Sequence, residues 1–330
     1  MSNPRSEIVQ LLRGMYAGPS VVQLAELGVL DRLCEGSAAA CEFSGIENTQ
    51  CLASLLRYLV SIELLEERDE RFSVTDLGRS VFQRAGSFQI FYSYEPIIKS
   101  LDALLQNPTL QPVVNRERNI AGSGSLHLKK FFPAALEMCD DFEYTSAIDL
   151  GCGDGTFLDA LIRRKGMSSV RCLDLAPEAV AAATSRLESL HPSCAITGVV
   201  ANAGNVSAWK CKVGMPDVAS LWFVVHEFCD GSADSVINFF KALRDAFPTT
   251  DILVGEIVSH APSALADSRA NSALPEFLLF HELSGQKPLS WAQWQSVRAA
   301  IPYEIQNEYC MDPLANGEPS AFLWHLAASA

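Results

Sequence analysis

A chain of 330 residues, 48% hydrophobic and 19% charged, can bury one large core and a smaller one; none of its apolar runs reaches the roughly twenty residues of a membrane span. Its net charge of −14, from 39 acidic and 25 basic side chains, argues against a partner gripped by its phosphate backbone, so no nucleic acid is expected. Ten cysteines fall singly, with no Cys-x-x-Cys pair and no basic-then-apolar leader, which predicts reduced core thiols and a cytoplasmic address.

Apolar residues at three-to-four spacing from Ile8 through Leu30 predict a helix over Ser6–Leu33, punctuated by Gly28 and Gly36. A second helix is predicted over Thr49–Leu59. Leu64 to Glu67, the turn Asp69-Glu70 and Arg71 to Val74 then read as a hairpin. Helices followed by a small hairpin make a winged helix. Its candidate recognition helix holds one arginine, and its wing is acidic from Glu66 to Glu70, so phosphates would be repelled. Residues 1–85 are therefore read as an all-α, winged-helix-like domain.

Residues 86–143 read as a helical connector, whose aromatics from Phe88 to Tyr94 suit core packing or the roof of a pocket. Arg116 and Arg118 are candidates to clamp a substrate carboxylate with two parallel hydrogen bonds; otherwise they are solvated arginines. Ala121-Gly122-Ser123-Gly124-Ser125 reads as a flexible hinge before a helix starting at Leu126.

From Thr145 a regular strand–helix rhythm predicts one α/β domain over residues 144–330. Ser146–Leu150 is an apolar strand that runs into Gly151-Cys152-Gly153-Asp154-Gly155, followed by a helix over Phe157–Arg164. Glycines there let the backbone turn tightly and pass close to a ligand. A second strand, Ser169–Leu173, ends at Asp174, an acid placed to accept both hydroxyls of a ribose. The dinucleotide pattern needs its third glycine three places after the second, beside a pyrophosphate. Here the glycines alternate and Asp154 sits among them, where a pyrophosphate would be repelled but a cationic ligand would not. Further strands are predicted at Ala195–Val200, Val218–Val225, Asp251–Glu256, Tyr303–Tyr309 and Ala321–Leu326, which makes seven. Helices are expected over Pro177–Leu190, Ser232–Phe247, from Leu274 past His281, and over Ser290–Ile301.

Open α/β sheets bind ligands at the carboxyl ends of their strands, where Asp149, Gly151, Asp174, Asn202, His226, Glu227 and Glu256 all fall. His226 and Glu227 admit three readings. They are a surface turn, a general base for a hydroxyl, or part of a metal site with His281 and an oxygen ligand such as Glu227. Neither of the last two is favoured by a motif, and neighbours on an extended strand face opposite ways.

The string Asp149-Leu150-Gly151-Cys152-Gly153-Asp154-Gly155-Thr156 resembles motif I of the class I S-adenosylmethionine (SAM)-dependent methyltransferases. That resemblance implies a Rossmann-like, seven-stranded domain holding SAM through Asp149, Gly151, Gly153, Asp174, Leu175, Asn202 and Ala203. Asn202 stands where the family more often has aspartate, and would meet the adenine amino group through its carbonyl oxygen. It also implies that the N-terminal domain joins two copies into a homodimer. The segments Val225–Phe228, 239–248 and Leu274–His281 look like those of the α-keto acid C-methyltransferases, which methylate the β-carbon of phenylpyruvate, 4-methyl-2-oxopentanoate or 2-ketoarginine. The resemblance carries a metal ion, iron or zinc in divalent or ferric form, onto His226, Glu227 and His281, and a carboxylate clamp onto Arg116. Carboxylates near the mouth (Glu227, Glu256, Glu276 and Glu282) favour the guanidinium tail of 2-ketoarginine. An O-methyltransferase with a histidine base is the alternative.

Overall fold

The computed structural model describes residues 4–266 and 273–328. Helix α1 (Pro4–Glu26) ends before Gly28, whose φ of 70° reverses the chain into α2 (Val29–Glu35), so the single helix expected over this stretch is two. After β1 (Ala38–Ala39), Asn48 caps α3 (Thr49–Ser61) by accepting the Cys51 N–H at 2.9 Å. Strands β2 (Leu65–Arg68) and β3 (Arg71–Val74) form the expected hairpin, its turn made by Asp69 and Glu70 at φ 49° and 61°. The small sheet has the order β1-β3-β2 and closes over Leu24, Leu33, Leu56, Leu59, Leu65 and Phe72. It is a winged helix. The two-residue β1 had no apolar alternation to reveal it.

Five short helices and one long one follow: α4 (Asp76–Phe82), α5 (Ala85–Ser93), α6 (Glu95–Lys99), α7 (Leu101–Gln106), α8 (Arg116–Lys130) and α9 (Phe132–Met138). The glycine–serine stretch expected to be a hinge lies in the middle of α8. A Cβ on Gly122 would stand 2.7 Å from the Gly86 carbonyl oxygen and 2.7 Å from the Ile90 nitrogen of α5. These glycines are there so that two helices can touch through their backbones, and the packing overrides their poor helix propensity.

The α/β domain contains β4 (Ser146–Leu150), α10 (Thr156–Lys165), β5 (Ser169–Asp174), α11 (Pro177–Leu190), β6 (Ala195–Val200), α12 (Val206–Val213) and β7 (Val218–Trp222). It continues with α13 (Val225–Phe228), α14 (Ala233–Ala246), β8 (Asp251–Ile257), α15 (Pro262–Ala266), α16 (Leu274–Leu283), α17 (Trp291–Ala300), β9 (Tyr303–Met311) and β10 (Ala321–Ala328). Seven strands run in the order β6-β5-β4-β7-β8-β10-β9, the first five parallel and β10 antiparallel to both neighbours. The order reverses between β4 and β7, so the crevice opens at their carboxyl ends. Strand β7 is shorter than expected. It stops at Trp222, Phe223 takes φ 56°, and Val225 to Phe228 coil into a single helical turn.

Replacing Gly122 by Val should lower the melting temperature by an amount equivalent to about 1–3 kcal/mol, the usual cost of overpacking. Gly14 in α1 faces open space, with nothing within 4 Å of where a methyl group would stand, and Gly14→Ala should raise stability instead. Thermal unfolding of the two variants checks the sign of each.

Candidate active site

Beyond β4 the chain turns on Gly151, Gly153 and Gly155 at φ 88°, 53° and 77°. A side chain at Gly151 would also strike Val224, 2.9 Å from its Cβ position, so the loop and the β7 tip can close on each other only there. The loop is tied to β5: Gly151 and Cys152 both donate to the Leu173 carbonyl, at 2.8 and 2.9 Å. Asp174 accepts the Gly153 N–H at 3.1 Å and the Ala176 N–H at 3.0 Å. Two backbone donors therefore hold its carboxylate in one orientation, with lone pairs left for a diol. Asp154 turns back to Thr156 and to Arg186, whose Nη1 donates to it at 3.1 Å.

Asp149 is buried and accepts the Ser220 hydroxyl at 2.6 Å. Burial pushes its carboxyl up to about 8, opposed by the Ser220 hydrogen bond and assisted by the charges of Asp174 and Asp154. A cavity of about 350 Å³ lies over this loop, and Asp149, Gly151, Gly153, Asp174, Leu175, Asn202 and Ala203 all line it. Asn202 does more than face it: its carbonyl oxygen accepts the Gly204 N–H at 2.9 Å and shapes the turn after β6.

Because α13 is helical, His226 and Glu227 diverge by about a third of a turn. His226 is buried, and its Nδ1 lies 2.7 Å from Glu256 Oε2. Burial opposes its positive charge, but the charge and hydrogen bond of Glu256 outweigh that and hold His226 above its ordinary range. His281 of α16 stacks edge-on against it, ring centroids 4.7 Å apart at 73°. Its Nδ1 donates to the Phe277 carbonyl at 2.6 Å, and burial with the neighbouring imidazole pushes it down to about 3. His281 is thus neutral, with Nε2 left as an acceptor; neutral His226, its proton on Nδ1 toward Glu256, offers the same.

Glu227 goes the other way. It lines the cavity, accepts Arg116 Nη1 at 3.1 and 3.2 Å, and accepts Gln286 Nε2 at 3.2 Å. The expected three-residue metal set is not assembled: among the described residues no group of three or more His, Cys, Asp or Glu could hold an ion. The helical turn of α13, which replaces the extended strand tip, carries Glu227 away from the imidazoles. Neither imidazole is part of the cavity wall. Arg116 is the arginine on that wall, whereas Arg118 is locked to Glu26 at 2.6 and 2.8 Å over the Tyr92 ring. Of the four glutamates expected near the mouth, Glu227 alone lines it: Glu256 is buried under His226, and Glu276 and Glu282 are exposed elsewhere on α16. None of the α5 aromatics lines the cavity: Phe91 packs on α16, Phe88 on the winged-helix core and Tyr92 under Arg118, while Tyr94 just beyond α5 stacks on Phe280 at 5.0 Å.

His127 is a wall residue that sequence patterning missed. It stacks on Phe223 at 4.3 Å, lies 3.2 Å from Ser123 Oγ through Nδ1, and is pushed down to about 3 by burial. Reading residues 121–125 as a hinge hid the one-turn relation between Ser123 and His127 that α8 creates.

A parallel sheet with this reversal, a glycine loop answered by an acid on the next strand, and a cavity that runs from that loop to the β7 tip give the chain the fold of the class I SAM-dependent methyltransferases. Its sequence matches the family described as "Methyltransferase domain" over residues 147–245, and the AprA winged helix domain over residues 13–107. It is 25% identical over 172 residues to a 2-ketoarginine methyltransferase of Streptomyces arginensis, a match that spans 48% of this chain and 49% of that protein. In fold it resembles an O-methyltransferase family protein from Burkholderia thailandensis, with a TM-score of 0.67 and 16% identity over 100% of both chains. Human N-acetylserotonin methyltransferase in complex with SAM is similar as well, with a TM-score of 0.63 and 13% identity over 100% of this chain and 99% of that one.

Asp174→Ala should weaken SAM binding about tenfold or more, since it removes a charged acceptor; isothermal titration measures it. The Asp149 carboxyl is neutral in the fold and charged in the unfolded chain between about pH 4 and about 8. Its stabilising contribution is therefore full below pH ~4 and is lost as pH rises to about 8. Relative to Asp149→Asn, the wild-type protein should lose stability across that window in urea melts, and a flat difference would contradict it.

Proposed function

We propose that the enzyme transfers the SAM methyl group to the β-carbon (C3) of an α-keto acid, with 2-ketoarginine (5-guanidino-2-oxopentanoate) the favoured substrate. The observation that carries this reading is the His226–His281 pair, each Nδ1 engaged behind the ring, by Glu256 at 2.7 Å and by the Phe277 carbonyl at 2.6 Å. Imidazoles fixed in this way are typical of metal ligands. An iron or zinc ion in divalent or ferric form would be held by His226 and His281 through their free Nε2 atoms. Such an ion supplies Lewis-acid stabilisation of negative charge on the keto oxygen, an effect of several kcal/mol.

The chain's own residues do the rest. Asp174, Asn202 and the glycine loop hold the donor, with Leu175 and Ala203 against it, so that the sulfonium methyl faces the β7 tip. Arg116 takes the substrate carboxylate. Glu227 removes a C3 proton, the electron pair passes into the C2–C3 bond, and the carbonyl pair moves to the keto oxygen. C3 then attacks the methyl carbon as the carbon–sulfur bond breaks toward sulfur, leaving S-adenosylhomocysteine. The 25% identity to a 2-ketoarginine methyltransferase supports the substrate.

A second reading, an O-methyltransferase of a small hydroxyl compound, is favoured by the buried His226–Glu256 pair, which is also the arrangement of a general base. Its reaction should survive strong chelators. Under the keto-acid reading, His226→Ala and His281→Ala should each lose bound metal and about a hundredfold or more in turnover. Elemental analysis of protein purified without chelator, paired with rates, decides: unchanged metal and activity remove the reading.

We further propose a cytoplasmic homodimer built on the first half of α1, where residues 6–16 are exposed on every face and Leu11, Met15 and Tyr16 are 74%, 68% and 66% exposed. Leu11→Glu with Met15→Glu should convert the dimer to monomer in light scattering. No helix among the described residues is long and apolar enough to cross a membrane.

A further inference from the structure

We propose that the Arg116–Glu227 ion pair is a latch that the substrate's own carboxylate opens, and that opening it releases Glu227 to act as the base. The inference rests on the keto-acid reading and adds to it the order of events at the site. Among the residues lining the cavity, Arg116 alone carries a fixed positive charge, against the carboxylates of Asp154, Asp174 and Glu227. An anionic substrate would meet Arg116, whose Nη1 is already engaged by Glu227. That nitrogen straddles both Glu227 oxygens at 3.1 and 3.2 Å. Arg118 cannot substitute, because both of its bonded nitrogens are committed to Glu26.

The pair is also placed to exchange partners. Its side chains are 53% and 32% exposed, so water reaches both, and one carboxylate replaces another on the same guanidinium. Glu227 does not swing free when displaced, because Gln286 Nε2 still holds one oxygen at 3.2 Å, and Gln286 is buried. Paired with Arg116, both Glu227 oxygens already accept N–H groups, Oε1 from Arg116 and Gln286 and Oε2 from Arg116. Once Arg116 turns to the substrate, one Glu227 oxygen faces the carbon chain attached to that carboxylate. The C3–H bond breaks toward it and the electron pair becomes the C2–C3 π bond, with the displaced carbonyl pair on oxygen. A ketone without the carboxylate leaves the latch shut, which makes the device a test of substrate class as well as a trigger.

The probes are pentanoate, which has the carboxylate but no ketone, and 2-oxopentanoate, which has both. Titrated into Glu227→Gln by calorimetry, each should bind about two- to fivefold tighter than to wild type, the usual worth of a partly exposed ion pair. The same variant should lose C3 hydrogen–deuterium exchange of 2-oxopentanoate in D2O, followed by NMR without SAM. Glu227→Asp, shorter but still basic, should keep the affinity gain and part of the exchange. Pentanoate binding that is equal or weaker in Glu227→Gln overturns the latch. An affinity gain without any exchange in wild-type enzyme overturns instead the base role and the keto-acid reading beneath it.

Discussion

Glu256 has no exposed surface and accepts three hydrogen bonds: Val225 N–H at 2.7 Å, His226 Nδ1 at 2.7 Å and Ile257 N–H at 3.3 Å. A buried carboxylate is tolerated only when its lone pairs are so used. Two of the three donors belong to α13, so satisfying Glu256 is what coils the chain just past β7 instead of letting the strand run on. From that turn follow the separation of His226 from Glu227, the pairing of His226 with His281, and the approach of Glu227 to Arg116. The chemistry of the site is thus set one layer below it, by a residue that touches no ligand.

The cofactor side is governed by negative charge. Asp149, Asp154 and Asp174 gather around one loop, and the protein keeps them there by three different means. Asp149 is buried and neutral up to about pH 8, Asp154 is tied to Arg186, and Asp174 is held by two backbone N–H groups. A donor bearing a sulfonium and an ammonium suits such a surface, whereas a pyrophosphate does not. The same excess of acid explains why a single arginine on the cavity wall matters so much for an anionic acceptor.

Much of the fold was legible because it rests on local patterning. The strands at Ser146–Leu150 and Ala195–Val200 and the helix at Pro177–Leu190 follow from apolar runs, alanine content and turn residues, and the hairpin at Asp69-Glu70 from its flanks. What patterning could not reach was anything that depends on a partner distant in sequence. Gly122 and Gly124 look like a hinge until α5 is laid against the first and the Asp154–Thr156 turn against the second. Val224 and Val225 continue an apolar strand until the Glu256 carboxylate pulls them into a turn. Likewise His226 and His281 were each visible as chemistry-bearing residues, but that their rings meet at 4.7 Å, while Glu227 leaves for Arg116, is a tertiary fact.

The central claim is that this arrangement makes a carbon, not an oxygen, the methyl acceptor. Metal-replete enzyme incubated with 5-guanidino-2-oxopentanoate and SAM carrying a 13C-labelled methyl group tests it in one spectrum. The account predicts the label in a methyl bonded to carbon, far upfield of any methoxy signal and coupled to the C3 proton. A labelled methoxy resonance from a hydroxylated acceptor, with no transfer to the keto acid, would contradict it.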